Sequence, residues 1–370
     1  MPTRHPTDIQ DSASDQSRPI KGRGAQSNPY NRFYSRQHEY FDDGWDEPEA
    51  APAAQTITLT DRTKTIITTN RSPDIGFDQS INPYRGCEHG CIYCYARPTH
   101  AYWDLSPGLD FETKIIIKPD AARLLRAQLD KPGYRVKPVC IGANTDPYQP
   151  LESRLKSTRA IIEVLAEYRH PFSIITKSQL IVGDLDLLAP LAAQNLCSVA
   201  ISVTTLDNDL KRRLEPRTPS GARRLQAIRT LTDAGVRVTL LTAPVIPCLN
   251  DHELESIMAA GRDAGAANAR YILLRLPLEV SELFREWLQL HYPDRADHVM
   301  SIIRQSRGGR DYRSQFGERL RGTGPFADLL HHRWQVACRK LGYRNTENRE
   351  ERFELDSSLF SKHHQQLTLF

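Results

Sequence analysis

The chain has 370 residues, 39% of them hydrophobic and 25% charged, enough for one large core or two modest ones. A formal net charge of only +4 excludes a uniformly polyanion-binding surface, so any affinity for nucleic acid must come from local patches. Mean hydropathy is −0.53, no apolar run approaches the ~18 residues that cross a bilayer, and "MPTRHPTDIQDSASDQSRP" has no apolar stretch of a signal peptide; the reading is a soluble cytoplasmic protein without a membrane partner.

Residues 1–54 are polar, rich in Pro, Asp, Ser and Gln, and lack sustained periodicity, so they are expected to be disordered. Within them Lys21–Phe33, "KGRGAQSNPYNRF", is basic with Tyr30 and Phe33; it can dock on the domain or on a polyanion, or stay a solvated tail. Residues 55–78 form a lead-in whose two β-branched runs, within Thr56–Thr69, flank a polar turn and predict a β-hairpin.

Residues 79–290 alternate between strand and helix patterns. Strands are predicted around Ser80–Tyr84 and over Val139–Ala143, Phe172–Thr176, Ser198–Val203, Val236–Thr242 and Tyr271–Leu276. Helices are predicted over Ala121–Gln128, Ser153–Tyr168, Leu185–Asn195, Ala222–Asp233, Asp251–Asp263 and Ser281–His291, with Gly235 and Gly265 where left-handed caps are wanted. Such alternation predicts an α/β fold of parallel βαβ units, either an open partial barrel or a doubly wound sheet. Polar or special residues cluster just past the strands, at Asn144–Pro147, Thr176–Ser178, Thr204-Thr205, Ala243-Pro244 and Pro277. That favours a barrel, whose active site gathers at the C-terminal strand ends.

Residues 291–344 form a helical, Arg-rich extension. Ile302–Gly322 carries Arg304, Arg307, Arg310, Arg313, Arg319 and Arg321 with Tyr312 and Phe316 between them, opposed by Asp311 and Glu318. Arginines interleaved with aromatics suit a nucleic-acid backbone and its bases; the alternative is a loop neutralised by its own acids. A helix follows over Ala327–Leu341, and residues 345–370 are expected to be a flexible tail.

The chain contains seven cysteines, an odd number, and Cys87, Cys91 and Cys94 crowd into "YRGCEHGCIYCYARP" (Tyr84–Pro98). This usage suits a reducing compartment and a metal site rather than a disulfide framework. Cys-x3-Cys-x2-Cys can hold a cubane iron–sulfur cluster and leave one iron without a protein ligand. A structural zinc site completed by His89 or His100 is the other reading. Cys140 and Cys197 lie in apolar runs, where a small buried residue is the default.

The cysteine spacing, with Tyr93 just before the last cysteine, resembles the radical S-adenosylmethionine (radical SAM) superfamily. Thr176-Lys177, Ser202-Val203, "LEPRTPSGARRLQA" (Leu214–Ala227) and "LLTAPVIP" (Leu240–Pro247) are similar to its spore photoproduct lyase-like branch, also described as DNA repair photolyase-like; the likeness runs from about Ile75 to Arg285. The resemblance implies a partial (β/α)6 barrel with a 4Fe-4S cluster on Cys87, Cys91 and Cys94, whose open iron chelates the methionyl group of SAM. An electron from a donor such as flavodoxin or ferredoxin then yields a 5′-deoxyadenosyl radical. By the same resemblance, Tyr93 meets the adenine, Thr145 and Asp146 the methionyl group, Lys177 the SAM carboxylate, Ser202 the ribose or methionyl end, and Ala243 the adenine through its backbone. Tyr93 and Tyr95 are expected to relay a hydrogen atom.

One departure is informative. The lyases carry a hydrogen-donor cysteine in a Cys-Thr-Ser-Asp segment where this chain has Ala143-Asn144-Thr145-Asp146. Cys140, an odd step away, is a poor substitute on a regular strand. Spore photoproduct is therefore not the expected substrate. The expectation is an enzyme acting on nucleic acid in DNA repair; RNA or a small molecule as substrate, or a zinc-stabilised nucleic-acid-binding module, are the alternatives. Finally, Gln366, Leu367, Leu369 and Phe370 in "QLTLF" resemble the peptide that binds the bacterial replication sliding clamp, with Leu369 and Phe370 as apolar anchors.

Overall fold

The β-branched runs form two sheets. In the computed structural model, which describes residues 19–33, 55–344 and 354–362, the strands are β1 (Ile57–Thr60), β2 (Ile67–Thr69), β3 (Gln79–Ile81), β4 (Tyr84–Arg85), β5 (Lys114–Ile117), β6 (Val139–Ile141), β7 (Phe172–Thr176), β8 (Cys197–Ser202), β9 (Val238–Val245) and β10 (Asn268–Leu273). The larger sheet has seven strands in the order β10-β9-β8-β7-β6-β3-β2. Strands β3 and β6 to β10 are all parallel and adjacent in chain order, and β2 pairs antiparallel on the outside of β3. Successive parallel neighbours joined by helices make the open, partial (β/α)6 barrel.

Register explains the barrel's two faces. Ile81, Ile141, Ile174, Val199 and Val238 fall in one row across five strands and are all buried in the core beneath the helices. The alternate row holds Ser80, Cys140, Ser173 and Ser198. Side chains alternate along a strand, so this row shares the inward face with Lys177 and Ser202 farther up. Small residues fill this lower inner row, and Ile175, Leu241, Lys177 and Ser202 line a chamber above it.

The lead-in hairpin does not form. β1 pairs in parallel with β5 in the smaller sheet, ordered β1-β5-β4, while β2 joins the barrel edge. The segment between them lacks the Asn-Gly or Asp-Gly of a tight turn. Asp61 instead extends β1 by donating its N–H to Ile117 (2.8 Å), and Ile66 and Ile67 donate to the Gln128 side chain (2.6 and 3.1 Å).

The helix expected over Ser153–Tyr168 divides at Lys156, which has a φ of 54°. The pieces are Glu152–Leu155 and Ser157–Glu167, and the Glu152 carboxylate accepts the Thr158 N–H at 2.9 Å to start the second. The other predicted helices form at their places, Leu109–Thr113 and Asn208–Leu214 are additional, and Pro293–Gln305 and Pro325–Leu341 follow the barrel. Among the described residues no helix is long and apolar enough to cross a membrane.

The Arg-rich segment lies between those last two helices, and its arginines differ in kind. Arg307 is 1% exposed and donates to the carbonyls of Leu273, Leu274, Glu318 and Arg319 at 2.8–3.1 Å, so it ties the end of β10 to the following loop. Burial brings its guanidinium down to about 10. Arg304 pairs with Asp311 (3.0 Å) and Arg313 with Glu318 (2.8 Å), while Arg310 is exposed. Arg307→Met is expected to lower the thermal midpoint, because orphaned buried carbonyls cost about 1–3 kcal/mol each; a scanning-calorimetry midpoint equal to wild type would contradict this structural role.

Candidate active site

Between β4 and a 3₁₀ helix over Arg97–Trp103 lies a loop with no strand or helix of its own. It carries Cys87 and Cys91, both buried, and the half-buried Cys94, all as free thiols. They border a chamber of about 200 Å³ at the upper end of the barrel. Tyr93, Tyr95, Thr145, Asp146, Lys177, Ser202 and Ala243 line the same chamber, so residues from five separate stretches of sequence meet there.

The donor set fits an iron–sulfur cluster. Burial pushes the Cys87 thiol well up and that of Cys91 to about 12, so thiolates at these two positions would need a positive centre beside them. A zinc ion would need a tight set of ligands, and among the described residues no three Cys, His, Asp or Glu side chains converge on a single ion. The three thiols on one loop match the number that a cubane with one open iron would take from the protein. His100 is spent elsewhere: its Nε2 lies 3.0 Å from the Lys114 carbonyl and its ring packs against Phe111. His89 turns Nδ1 toward Asp146, 3.3 Å from Oδ2.

Beneath Cys91 and Tyr93 sits a fully buried carboxylate that sequence reasoning did not single out. Glu215 accepts from the Tyr93 hydroxyl, from Thr204 Oγ1 (2.7 Å) and from Arg224, which also donates to the Ser202 carbonyl at 3.0 Å. Burial raises the Glu215 carboxyl, yet Arg224, Lys177 and the Tyr93 hydrogen bond bring it down to about 2. Burial likewise opposes the Lys177 ammonium, but the charges of Cys91 and Glu215 raise its affinity for the proton overall. A lysine held charged here, 5.8 Å above the Tyr93 ring, can neutralise an anionic ligand group in the chamber. Glu215 and Arg224 lie within Leu214–Ala227, where the signal was a pair of charges spaced to meet across a turn.

Thr145 and Asp146 are fixed by the loops around them. Thr145 Oγ1 donates to the Gly86 carbonyl at 2.7 Å, which ties β6 to the cysteine loop. Asp146 accepts from Thr176 Oγ1 (2.6 Å), the Lys177 N–H (2.8 Å) and the Tyr148 N–H (2.9 Å). Burial raises its carboxyl, while the His89 ring and these donors bring it down to about 2. Gly142, between β6 and this loop, takes φ 93°, and a Cβ there would lie 2.6 Å from the Ile175 carbonyl. The regular alternation of β6 therefore stops before Ala143. Cys140 is fully buried on the inward-facing row, below the chamber. Ala143 lies on the chamber wall, where its carbonyl accepts from the Tyr95 hydroxyl.

A strap from the N-terminal region closes the far side of the cysteine loop. Residues 19–33 are bound to the domain, the docked alternative for Lys21–Phe33 rather than the disorder expected of 1–54 as a whole. Glu112, fully buried, accepts the N–H groups of Gly24 (3.1 Å) and Ala25 (2.8 Å) and pairs with Arg97, whose Nε donates to the Cys91 carbonyl at 3.0 Å. Gly24 approaches so closely that a Cβ would stand 1.9 Å from the Gly90 carbonyl oxygen. Ala25 shares an apolar cluster with Cys91 and Ile92. Removing one partner of a buried ion pair costs about 3–5 kcal/mol. Glu112→Gln is thus expected to lower the thermal midpoint and to speed iron loss in air, read by iron content after gel filtration. Unchanged midpoint and iron retention would refute the strap's role in holding the loop.

The chain has relatives among known proteins. Residues 81–260 match the family model described as the radical SAM superfamily. The chain is 38% identical over 231 residues to an uncharacterized protein of Mycobacterium tuberculosis, covering 62% of this chain and 68% of the relative. It is 28% identical over 214 residues to an uncharacterized protein of Methanocaldococcus jannaschii, covering 58% of this chain and 76% of that one. Among solved structures, a spore photoproduct lyase double mutant with bound AdoMet and dinucleoside spore photoproduct superposes with a TM-score of 0.56 at 16% identity, over 77% of this chain and 78% of that one. The lyase complexed with dinucleoside spore photoproduct gives the same TM-score and identity over 78% and 81%. With its cysteine loop at the mouth of a parallel barrel, the chain belongs to the radical SAM superfamily of enzymes.

Proposed function

We propose that this enzyme binds a 4Fe-4S cluster through Cys87, Cys91 and Cys94, holds SAM in the chamber above it, and acts on nucleic acid, in DNA repair. The observation that carries the reading is the chamber itself: three buried thiols, a charged Lys177 and strand-end polar groups border one cavity, on a fold shared with a lyase whose structure contains AdoMet and a dinucleoside lesion. When bound, cluster and SAM supply a 5′-deoxyadenosyl radical once an electron arrives from a donor such as flavodoxin or ferredoxin.

The chain's own residues bind, orient and exclude water. Lys177 takes the SAM carboxylate, with Glu215 and Arg224 fixing the Tyr93 wall beneath it. The Ser202 and Ala243 positions offer polar and backbone contacts to the nucleoside portion, and Thr145 and Asp146 keep the neighbouring loop in place. Tyr95, half exposed and anchored on Ala143, faces the substrate side, where alanine replaces the lyases' donor cysteine. By that departure, spore photoproduct itself is not the proposed substrate. The peptide Gln366, Leu367, Leu369 and Phe370, which lies outside the described residues, would bring the enzyme to the sliding clamp on replicating DNA.

Anaerobic reconstitution followed by measurement of 5′-deoxyadenosine, with intact DNA, lesion-containing DNA, RNA or no substrate, tests the main reading. The expected result is release stimulated about tenfold by DNA and lost in Cys87→Ala/Cys91→Ala/Cys94→Ala. Stimulation by RNA alone, or by no nucleic acid, would sink the DNA assignment. For the tether, purified clamp is expected to retain the wild type and not Leu369→Ala/Phe370→Ala; equal retention would remove it.

A further inference from the structure

Arg275 stands where β10 leaves the barrel, between the buried Leu274 and Leu276, and it lines the chamber together with Cys94, Tyr95 and Ala143. Its guanidinium carbon lies 5.0 Å from the centre of the Tyr95 ring and 5.9 Å from that of Tyr312, whose hydroxyl is 3.3 Å from Nη2. Aromatic faces on a guanidinium hold its plane still while leaving its hydrogen-bonding edge available. The buried Nε of Arg275 has no hydrogen-bond partner.

The surrounding acids are committed to other cations. Asp311, next to Tyr312, binds Arg285, Arg304 (3.0 Å) and the Ser281 hydroxyl (2.6 Å). Glu318 pairs with Arg313 at 2.8 Å and Glu279 with Arg32 at 2.8 Å. Among the described residues no carboxylate lies within ion-pair distance of Arg275. The nearby Arg307 adds positive charge and has its proton affinity lowered partly by Arg275. Lys177, the other chamber-lining cation, belongs to the Tyr93 side and feels Cys91 and Glu215. The rim beside Tyr95 thus carries an oriented, uncompensated guanidinium, and a partly enclosed cleft concentrates the field of such a charge.

A fork of parallel N–H donors fits two oxygens of a phosphate group. We propose that Arg275, steadied by Tyr95 and Tyr312, binds a phosphate of the substrate and so sets which nucleoside lies over the chamber. This rests on the nucleic-acid reading above and names the residue that would give it register. Arg275 acts here on the substrate rather than on SAM, and its position differs from the arginines of the loop after it.

The test is fluorescence anisotropy with a labelled single-stranded oligodeoxynucleotide and versions carrying one neutral methylphosphonate at successive positions. Wild type should lose about tenfold in affinity at one position. Arg275→Gln should lose about tenfold toward the native strand and become indifferent to the methylphosphonate at that position, with Arg275→Lys recovering part of the loss. Thermal midpoints of the variants check that each is folded. Binding of the native strand unchanged in Arg275→Gln, or an undiminished methylphosphonate penalty in that variant, overturns the proposal and leaves the nucleic-acid reading standing. If wild type binds no oligonucleotide, DNA or RNA, but binds a nucleoside monophosphate in an Arg275-dependent way by calorimetry, the nucleic-acid reading fails and the phosphate site stands. Binding of neither overturns both.

Discussion

The cysteine loop has almost no regular structure, so its shape depends on buried charge. Glu112 grips it from the strap side through Arg97 and the N–H groups of Gly24 and Ala25, while Glu215 sits beneath Cys91 and Tyr93 with Arg224 as partner. Both carboxylates are fully buried, and each spreads its charge over several donors. A carboxylate in such surroundings is stable only when its donors are all in place. The loop is therefore defined by satisfied hydrogen bonds from distant segments rather than by a helix or strand of its own.

The barrel serves this loop by bringing strand ends to it. The outward row of Ile81, Ile141, Ile174, Val199 and Val238 supplies the apolar burial, and the inward face carries Lys177 and Ser202 into the chamber at its upper end. Thr145 then links β6 to Gly86, and Asp146 links the same segment to β7. Core packing and site geometry are thus divided between the two faces of one sheet. Substitutions on the outward row should act first on stability, and those on the upper inward face on ligand geometry.

Much of this was legible in the amino-acid sequence because it rests on local pattern. β-branched runs separated by amphipathic segments announce parallel strands, and cysteine spacing announces a metal loop. The strap was legible only as one of several alternatives: its residues are polar and aperiodic, and what orders them is Glu112, more than eighty positions away along the chain. β1 misled for a related reason, since its true partner β5 lies beyond the cysteine loop while β2 is close in sequence. Arg307 looked like its neighbours in the Arg-rich run, and only the β10 carbonyls distinguish it. Glu215 was visible as part of a family-like segment, but its burial beneath Tyr93 depends on the three-dimensional path of that segment.

The contact of Gly24 with Gly90 has a consequence for assembly. With backbone laid against backbone, the strap covers the cysteine loop on its side. On the proposed reading, a cluster assembled on the folded protein would be supplied through the barrel mouth, the side on which the proposed ligands would also enter. Assembly and turnover would then share one doorway, filled from the thiols outward.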